Sequence, residues 1–432
     1  MKNKQTYPRR VVITGLGVVA PNGIGKEAFW DASISGRSGI GRITRFDASQ
    51  LPTQIAGEVR DFRPEALGLT EDECKSLDLA PQYAIAAANL AMQDAGLVNV
   101  LAEEEHDHIG VAIGTAMACV DGADTLWATY TDSGKHPPRI KRGDFIVPTS
   151  LMTHASAVAI ANHHLLHGPC FALTTACSAG ADAIGEAFWA IQDGYADRML
   201  AGGSDSAITR LGIGVFSNIG ALSTRNEEPE RASRPYDRER DGFVMAEGAG
   251  VLVLEEREVA LSRGAHIYAE VISFNSNCNS YHMTSLSEDG APLQQLLRQA
   301  LYDAQISKQQ IDYINSHGSS TVPNEVAETA AYKAVFGDYA YHIPISSTKS
   351  MIGHTQGAAS AIETVVTALT LDSQIIPPTI NQENPDPCCD LDYVPNVARQ
   401  ATVNLALTHS SGFGGVNNAL ILARPDWMNK SL

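Results

Sequence analysis

Several apolar runs in this chain lack the alternation of a half-buried strand, and stretches of helical period rich in small residues separate them. Val11-Val12-Ile13-Thr14-Gly15-Leu16-Gly17-Val18-Val19, Met199-Leu200-Ala201-Gly202-Gly203 and Gly250-Val251-Leu252-Val253-Leu254 are such runs. A strand with no polar face must be covered on both sides, which points to an α/β architecture. Pro81 to Ala95 reads as a covering helix of small residues, and His108 to Thr115 as a strand and turn. The apolar run Val11 to Ala20 holds two glycines and ends at Pro21-Asn22-Gly23. It is too short and interrupted for a membrane span and reads as a buried first strand.

One thiol stands at a strand-to-helix turn. Thr174-Thr175-Ala176-Cys177-Ser178-Ala179-Gly180 follows the apolar Phe171-Ala172-Leu173 and precedes a Gly/Ala-rich helical stretch. Backbone N–H groups at a helix start favour negative charge, so Cys177 is expected to lean toward thiolate and to act as a covalent nucleophile. Two histidines occupy glycine-bounded turns: His317 in Asn315-Ser316-His317-Gly318-Ser319-Ser320-Thr321, and His354 in Lys349-Ser350-Met351-Ile352-Gly353-His354-Thr355. An internal echo links these segments. The strand, turn and small-residue helix around Cys177 resemble Ile343 to Leu371, and Ile109 to Thr115 resembles Ile311 to His317. Two copies of one unit about a pseudo-twofold axis would bring Cys177 and His354 together.

Other motifs are weaker. Gly15-Leu16-Gly17 lacks the third glycine of a dinucleotide fingerprint, and no P-loop sequence occurs. His163 and His167 have a spacing that can ligate zinc, but no nearby carboxylate or thiol completes a set, so no metal site is expected; the adjacent Cys388 and Cys389 read as packing residues. The seven cysteines show no C-x-x-C pair, as expected for reduced thiols in the cytoplasm. A formal charge of −18 argues against nucleic acid and anionic membrane as partners. An acidic protein partner would then need a local basic patch, and Arg139-Ile140-Lys141-Arg142 is the strongest basic run.

The Cys177, His317 and His354 segments, in this order, resemble the β-ketoacyl-acyl-carrier-protein synthases, condensing enzymes of the thiolase-like superfamily. The resemblance extends over Ser233-Arg234-Pro235-Tyr236-Asp237, Arg240-Asp241-Gly242-Phe243-Val244, Tyr281-His282-Met283-Thr284 and Gly412-Phe413-Gly414-Gly415. Gly114-Thr115-Ala116-Met117, Glu328-Thr329-Ala330-Ala331 and Asp390-Leu391-Asp392-Tyr393-Val394-Pro395 are most similar to the ketosynthase α subunit of bacterial type II polyketide synthases.

That resemblance implies a five-layer αβαβα fold of two related halves, residues 1–260 carrying the nucleophilic cysteine and 261–432 carrying both histidines. It implies decarboxylative Claisen condensation of a Cys177-bound acyl chain with malonyl-acyl carrier protein, building a poly-β-ketone. His317 and His354 would donate to the enolate, and Lys349 with Glu328 would support the charge network. The Cys177 and Phe413 N–H groups would form the oxyanion hole, and Phe413 would also gate the acyl tunnel. Ser319 and Thr321 would bind the pantetheine arm, although many relatives have Thr at the position of Ser319. No cofactor is implied beyond the carrier's phosphopantetheine. The implied partners are an acyl carrier protein and a chain-length-factor subunit that lacks the cysteine, or a second copy of this chain. A homodimeric fatty-acid elongation synthase and a non-catalytic scaffold of the same fold are the alternatives.

Overall fold

In the computed structural model, residues 9–98, 101–118, 120–139, 152–284, 287–425 and 427 are described. Ten strands carry the architecture: β1 (Val11–Ala20), β2 (Ile109–Gly114), β3 (Cys170–Leu173), β4 (Arg198–Asp205), β5 (Gly248–Glu256), β6 (Ala269–Cys278), β7 (Tyr313–Asn315), β8 (Ile345–Ser346), β9 (Leu405–Ser411) and β10 (Val416–Ala423). They run in the order β8-β7-β9-β10-β6-β1-β5-β4-β2-β3, with Gly23–Ile24 as a short extra strand on β1.

That order contains one pattern twice. Numbered within its own half, each set of five strands lies in the order 3-2-4-5-1, so β1 to β5 and β6 to β10 are topological copies. Between the strands, antiparallel pairing joins the halves where Val11–Ile13 meets Ala269–Val271, whereas β1 pairs with β5 along most of its length.

The helices that matter are α1 (Leu79–Asp94), α2 (Ala155–His164), α3 (Ala179–Gln192), α4 (Arg210–Asn218), α5 (Ala291–Asp303), α6 (Val322–Phe336) and α7 (Ala359–Ser373). Helices α1 and α2 cover one outer face, sharing a core with β2 and β5. Helices α5 and α6 cover the other with β7, β9 and β10. Between the two five-stranded halves of the sheet lie α3 and α7, whose apolar side chains meet β1, β4 and β5 in the central core. This is the five-layer thiolase-like α/β fold. The central helices are rich in alanine because two helices and two sheets must meet there: a Cβ on Gly180 would lie 2.8 Å from the Ala361 Cβ. Every residue of α7 from Ala359 to Leu371 is buried.

The Gly15-Leu16-Gly17 pair has a packing role. A Cβ on Gly17 would lie 1.9 Å from the Ala87 carbonyl oxygen, and one on Gly15 would lie 2.3 Å from that of Ala91. The glycines let α1 lie directly on β1, and no phosphate loop follows them. The zinc-type spacing also dissolves. Leu165 takes a left-handed φ of 54° and ends α2 at His164, so His167 leaves the helix. His163 then bonds Glu73 at 2.8 Å, and His167 bonds Asp107 at 3.0 Å. Cys389 is buried as a packing residue, but Cys388 is exposed, a correction to the reading of both as packing residues. The segment Ile140 to Arg142 of the basic run lies outside the described residues. Among the described residues, no helix is long and apolar enough to cross a membrane.

Candidate active site

The two equivalent third strands, β3 and β8, each lead into one of the central helices, β3 through a tight turn and β8 by way of the short helix Lys349–Ile352. Ala176 and Gln356 take the same unusual φ, 54°, and a single 3-10 turn follows before α3 and α7. Cys177 lies in the first of these turns, and His354 stands two residues before the second. Asp205, at the end of β4, ties the turn after β2 to the turn before α7: its carboxylate accepts from the backbone N–H groups of Ala116 at 2.7 Å, Met117 at 3.1 Å and Gly357 at 2.7 Å, and from the Thr115 hydroxyl at 2.9 Å. His354 is also stitched to the amino-terminal half, donating from its N–H to the Val244 carbonyl at 2.7 Å.

His317 arrives from the end of β7. Its ring centroid lies 5.3 Å from that of His354, edge to face. Cys177, His317, His354, Ser319, Thr321 and Phe413 line one cleft with about 590 Å³ of atom-free space. The turn between β9 and β10 brings Phe413 over the sulfur, and the N–H groups of Phe413 and of Cys177 itself both point at it. Close approach depends on the glycines: Gly414 and Gly415 have φ of 84° and 89°, and a Cβ on Gly412 would press within 3.0 Å of the Thr175 carbonyl oxygen. Ser319 and Thr321 share a hydroxyl–hydroxyl bond of 2.9 Å at the cleft wall. The Phe413 ring stacks on Phe216 of α4 at 5.9 Å, and Phe216 in turn meets Phe243, which touches the His354 ring edge to face.

Cys177, His317 and His354 are all buried, and this governs their electrostatics. Burial pushes the Cys177 thiol up to about 11, outweighing the Lys349 ammonium and the Phe413 N–H that favour the thiolate. The expectation of a resting thiolate is thereby corrected: desolvation of the anion exceeds the help from the helix start. Burial first, then Lys349, holds both His317 and His354 well below the ordinary imidazole value, so both rings are neutral. The Gln356 backbone N–H donates to His354 Nδ1 at 3.1 Å. The proton of neutral His354 is therefore on Nε2.

The supporting pair differs from the expected one. Lys349 makes its ion pair with Glu363 of α7, and donates to the His317 carbonyl at 2.7 Å. Glu328 points elsewhere, accepting from the Tyr236 hydroxyl at 2.9 Å and the Gly318 N–H at 3.2 Å. Burial and the neighbouring Glu325 raise its carboxyl to about 8, and Lys349 acts on it only at a distance. Glu363, Asp205 and Ser410, whose Oγ lies 3.1 Å from both His317 Nδ1 and the Cys177 carbonyl oxygen, escaped the sequence reading because each reaches the site from a distant strand or helix and none carries a local motif.

The sequence comparison decides the family. Residues 8–260 match the β-ketoacyl synthase N-terminal domain, and residues 268–383 match its C-terminal domain. The chain belongs to the β-ketoacyl synthase family. The synthase is 45% identical to 3-oxoacyl-[acyl-carrier-protein] synthase 2 of Coxiella burnetii, over 96% of this chain and 99% of that protein. It is 43% identical to the tetracenomycin polyketide synthase ketoacyl synthase alpha subunit of Streptomyces glaucescens, over 96% and 97% of the two chains. Among solved structures it is similar to the ketosynthase of the AntDE:AntF complex, a type II polyketide synthase bound to its acyl-carrier protein and a hexaketide. There the TM-score is 0.88 at 40% identity, covering 97% of this chain and 100% of that one. The ishigamide ketosynthase/chain length factor superposes with a TM-score of 0.85 at 34% identity, covering 96% and 99%.

Proposed function

We propose that this synthase catalyses decarboxylative condensation of a Cys177-bound acyl chain with malonyl-acyl carrier protein, extending a poly-β-ketone in a type II polyketide pathway. The observation that carries the reading is the convergence of one thiol, two neutral imidazoles and two backbone N–H donors on a single dry cleft. Cys177 takes the acyl group from a carrier thioester. The N–H groups of Cys177 and Phe413 receive the oxyanion of the tetrahedral intermediate, each stabilising it by about 2–4 kcal/mol. Loss of CO₂ from the malonyl group leaves an enolate, and His317 and His354 donate hydrogen bonds to its oxygen, His354 from Nε2. The enolate carbon then attacks the acyl thioester, forming the C–C bond and releasing Cys177. Ser319 and Thr321 hold the pantetheine arm, and Phe413 gates the cleft. Lys349, paired with Glu363, sets the charge around both imidazoles, and Glu328 braces the His317 turn through Gly318. Decarboxylation supplies the driving force, and no cofactor beyond the carrier's phosphopantetheine enters the chemistry.

The partners follow from the same reading: an acyl carrier protein, and a chain-length-factor subunit that completes a heterodimer. The free thiols fit a cytoplasmic setting. The 45% identity to a 3-oxoacyl-[acyl-carrier-protein] synthase supports a second reading, homodimeric fatty-acid elongation. Co-expression separates the two. Poly-β-ketone formation that requires a ketosynthase-like partner supports the polyketide reading. Full elongation of saturated acyl carriers by this chain alone would replace it with the second.

A further inference from the structure

The motifs Ser233-Arg234-Pro235-Tyr236-Asp237 and Arg240-Asp241-Gly242-Phe243-Val244 belong to the first half of the chain, yet they lie against a cleft wall built by the second. That wall is Ser319-Ser320-Thr321, and its middle residue is strained. Ser320 is fully buried and takes a φ of 74°, a left-handed value that is costly for a residue with a Cβ. Three bonds hold it there. The Arg234 N–H donates to Ser320 Oγ at 2.9 Å, the Gly242 N–H donates to the Ser320 carbonyl at 3.2 Å, and the Ser320 N–H donates to Glu325 Oε1 at 2.9 Å. On either side, Ser319 and Thr321 line the cleft and join their hydroxyls. Thr321 stands at the cap position of α6, where a hydroxyl ordinarily accepts from the helix's own N–H groups, but it makes no such bond. Its hydroxyl stays with Ser319 at the cleft.

Arg240 fastens the far end of this wall. Its fully buried guanidinium pairs with Glu325 at 2.8 Å and with Asp386 at 2.7 Å. The same group donates to the Asp237 carbonyl at 2.7 Å, to the Val322 carbonyl at 3.1 Å and, at the long end of the range, to the Thr321 carbonyl at 3.4 Å. One planar fork thus grips the backbone of Thr321 and Val322 together with the carboxylate that holds Ser320. A guanidinium is suited to this because its donors are fixed in one plane. We propose that Arg240 is a positioning residue for recognition of the carrier arm: it holds Ser320 and Thr321 so that the Ser319 and Thr321 hydroxyls meet the amides of pantetheine. The proposal rests on the reading of those two hydroxyls as the pantetheine site. Arg240 itself is buried behind the wall and touches no substrate. An amide arm is recognised through its N–H and C=O groups, and two hydroxyls serve it only while the wall keeps its shape. A thioester without the arm gains nothing from the wall and is indifferent to Arg240.

Loading of Cys177 in the full-length enzyme from two acetyl donors, read by intact mass, tests this. Acetyl-pantetheine carries the arm, and S-ethyl thioacetate lacks it, so the ratio of their kcat/KM values measures what the arm contributes. Wild type is expected to prefer acetyl-pantetheine. Arg240→Lys keeps a charge beside Glu325 but loses the fork. It is expected to lower the ratio by about tenfold, through a raised KM for acetyl-pantetheine at unchanged kcat, and to leave loading from S-ethyl thioacetate within about twofold of wild type. Arg240→Met combined with Glu325→Gln removes both members of the fully buried pair, so neither charge is stranded. It is expected to show the same fall, and it decides the matter should Arg240→Lys not fold. A wild-type ratio retained in the folded variants overturns the proposal. An equal loss with both donors overturns it too, because a merely structural role predicts that result. A wild type with no preference for acetyl-pantetheine refutes the pantetheine reading of Ser319 and Thr321, and the proposal falls with it.

Discussion

Lys349 and Glu363 form an ion pair in which each side chain is 1% exposed, and the same ammonium holds the carbonyl of His317 at 2.7 Å. The pair joins the His354 turn to the central helix α7 and sets the charge felt by the sulfur and both imidazoles. Removing one partner strands a charge in a place water does not reach. Lys349→Ala is therefore expected to cost about 3–5 kcal/mol of stability, because breaking a buried pair from one side is far worse than never having made it. Denaturant titration checks this, and a loss below about 1 kcal/mol would show that the pair is not held in a dry interior.

Cys177 in the free enzyme is expected to be a thiol. Its thiolate absorbance, taken as wild type minus Cys177→Ser across a pH titration, is expected to emerge only toward about pH 11, where burial has moved the group. A thiolate band already present at pH 7 would contradict the desolvation argument and restore the helix-start account.

His354→Ala removes a single N–H donor aimed at the enolate. Acyl loading onto Cys177 is expected to persist, while CO₂ release from malonyl-carrier falls by about a hundredfold or more, as when one oxyanion donor is deleted. Radiolabelled CO₂ release from the pre-acylated variant is the measurement. A rate within a few-fold of wild type would remove His354 from the decarboxylation step.

Glu328 is raised from 4.5 to about 8 by burial and by Glu325. A carboxyl whose folded value lies above its unfolded one binds an extra proton in the native state through that interval. Its contribution therefore lowers stability as pH rises from about 4.5 to about 8. Glu328→Gln keeps the shape and removes the proton uptake. The variant is expected to stay within about 1 kcal/mol of wild type at neutral pH and to flatten this part of the stability–pH curve. A pH dependence identical to wild type would show that Glu328 is ionised.

Gly17→Ala would place a Cβ 1.9 Å from the Ala87 carbonyl oxygen, where backbone and not a flexible side chain must yield. The variant is expected to lose at least about 1–3 kcal/mol or to accumulate insoluble, as overpacked sites do. Thermal melting together with the soluble yield provides the check.

Much of this was legible along the chain. Apolar runs without alternation required strands covered on both faces, and β1, β4 and β5 are buried throughout. The echo between the Cys177 and His354 segments foreshadowed two equivalent turns, because the residues that make such a turn are local: a positive φ, one 3-10 turn, then an alanine-rich helix. The motifs around Cys177, His317 and His354 were legible for the same reason.

What the chain order withheld was everything set by desolvation and by pairing across the sheets. Whether Cys177 rests as thiol or thiolate depends on how much water the surrounding layers exclude. The partner of Lys349 is Glu363 and not Glu328 because α7 runs between the sheets past Lys349, a contact no spacing rule encodes. Ser410 reaches both Cys177 and His317 only because β9 lies beside β7 and ends against the α3 turn. Strand propensity and turn chemistry act over a few residues, so one dimension suffices to read them. Protonation state and hydrogen-bond direction depend on neighbours brought together from several elements, and those were decided only when the two halves closed around the cleft.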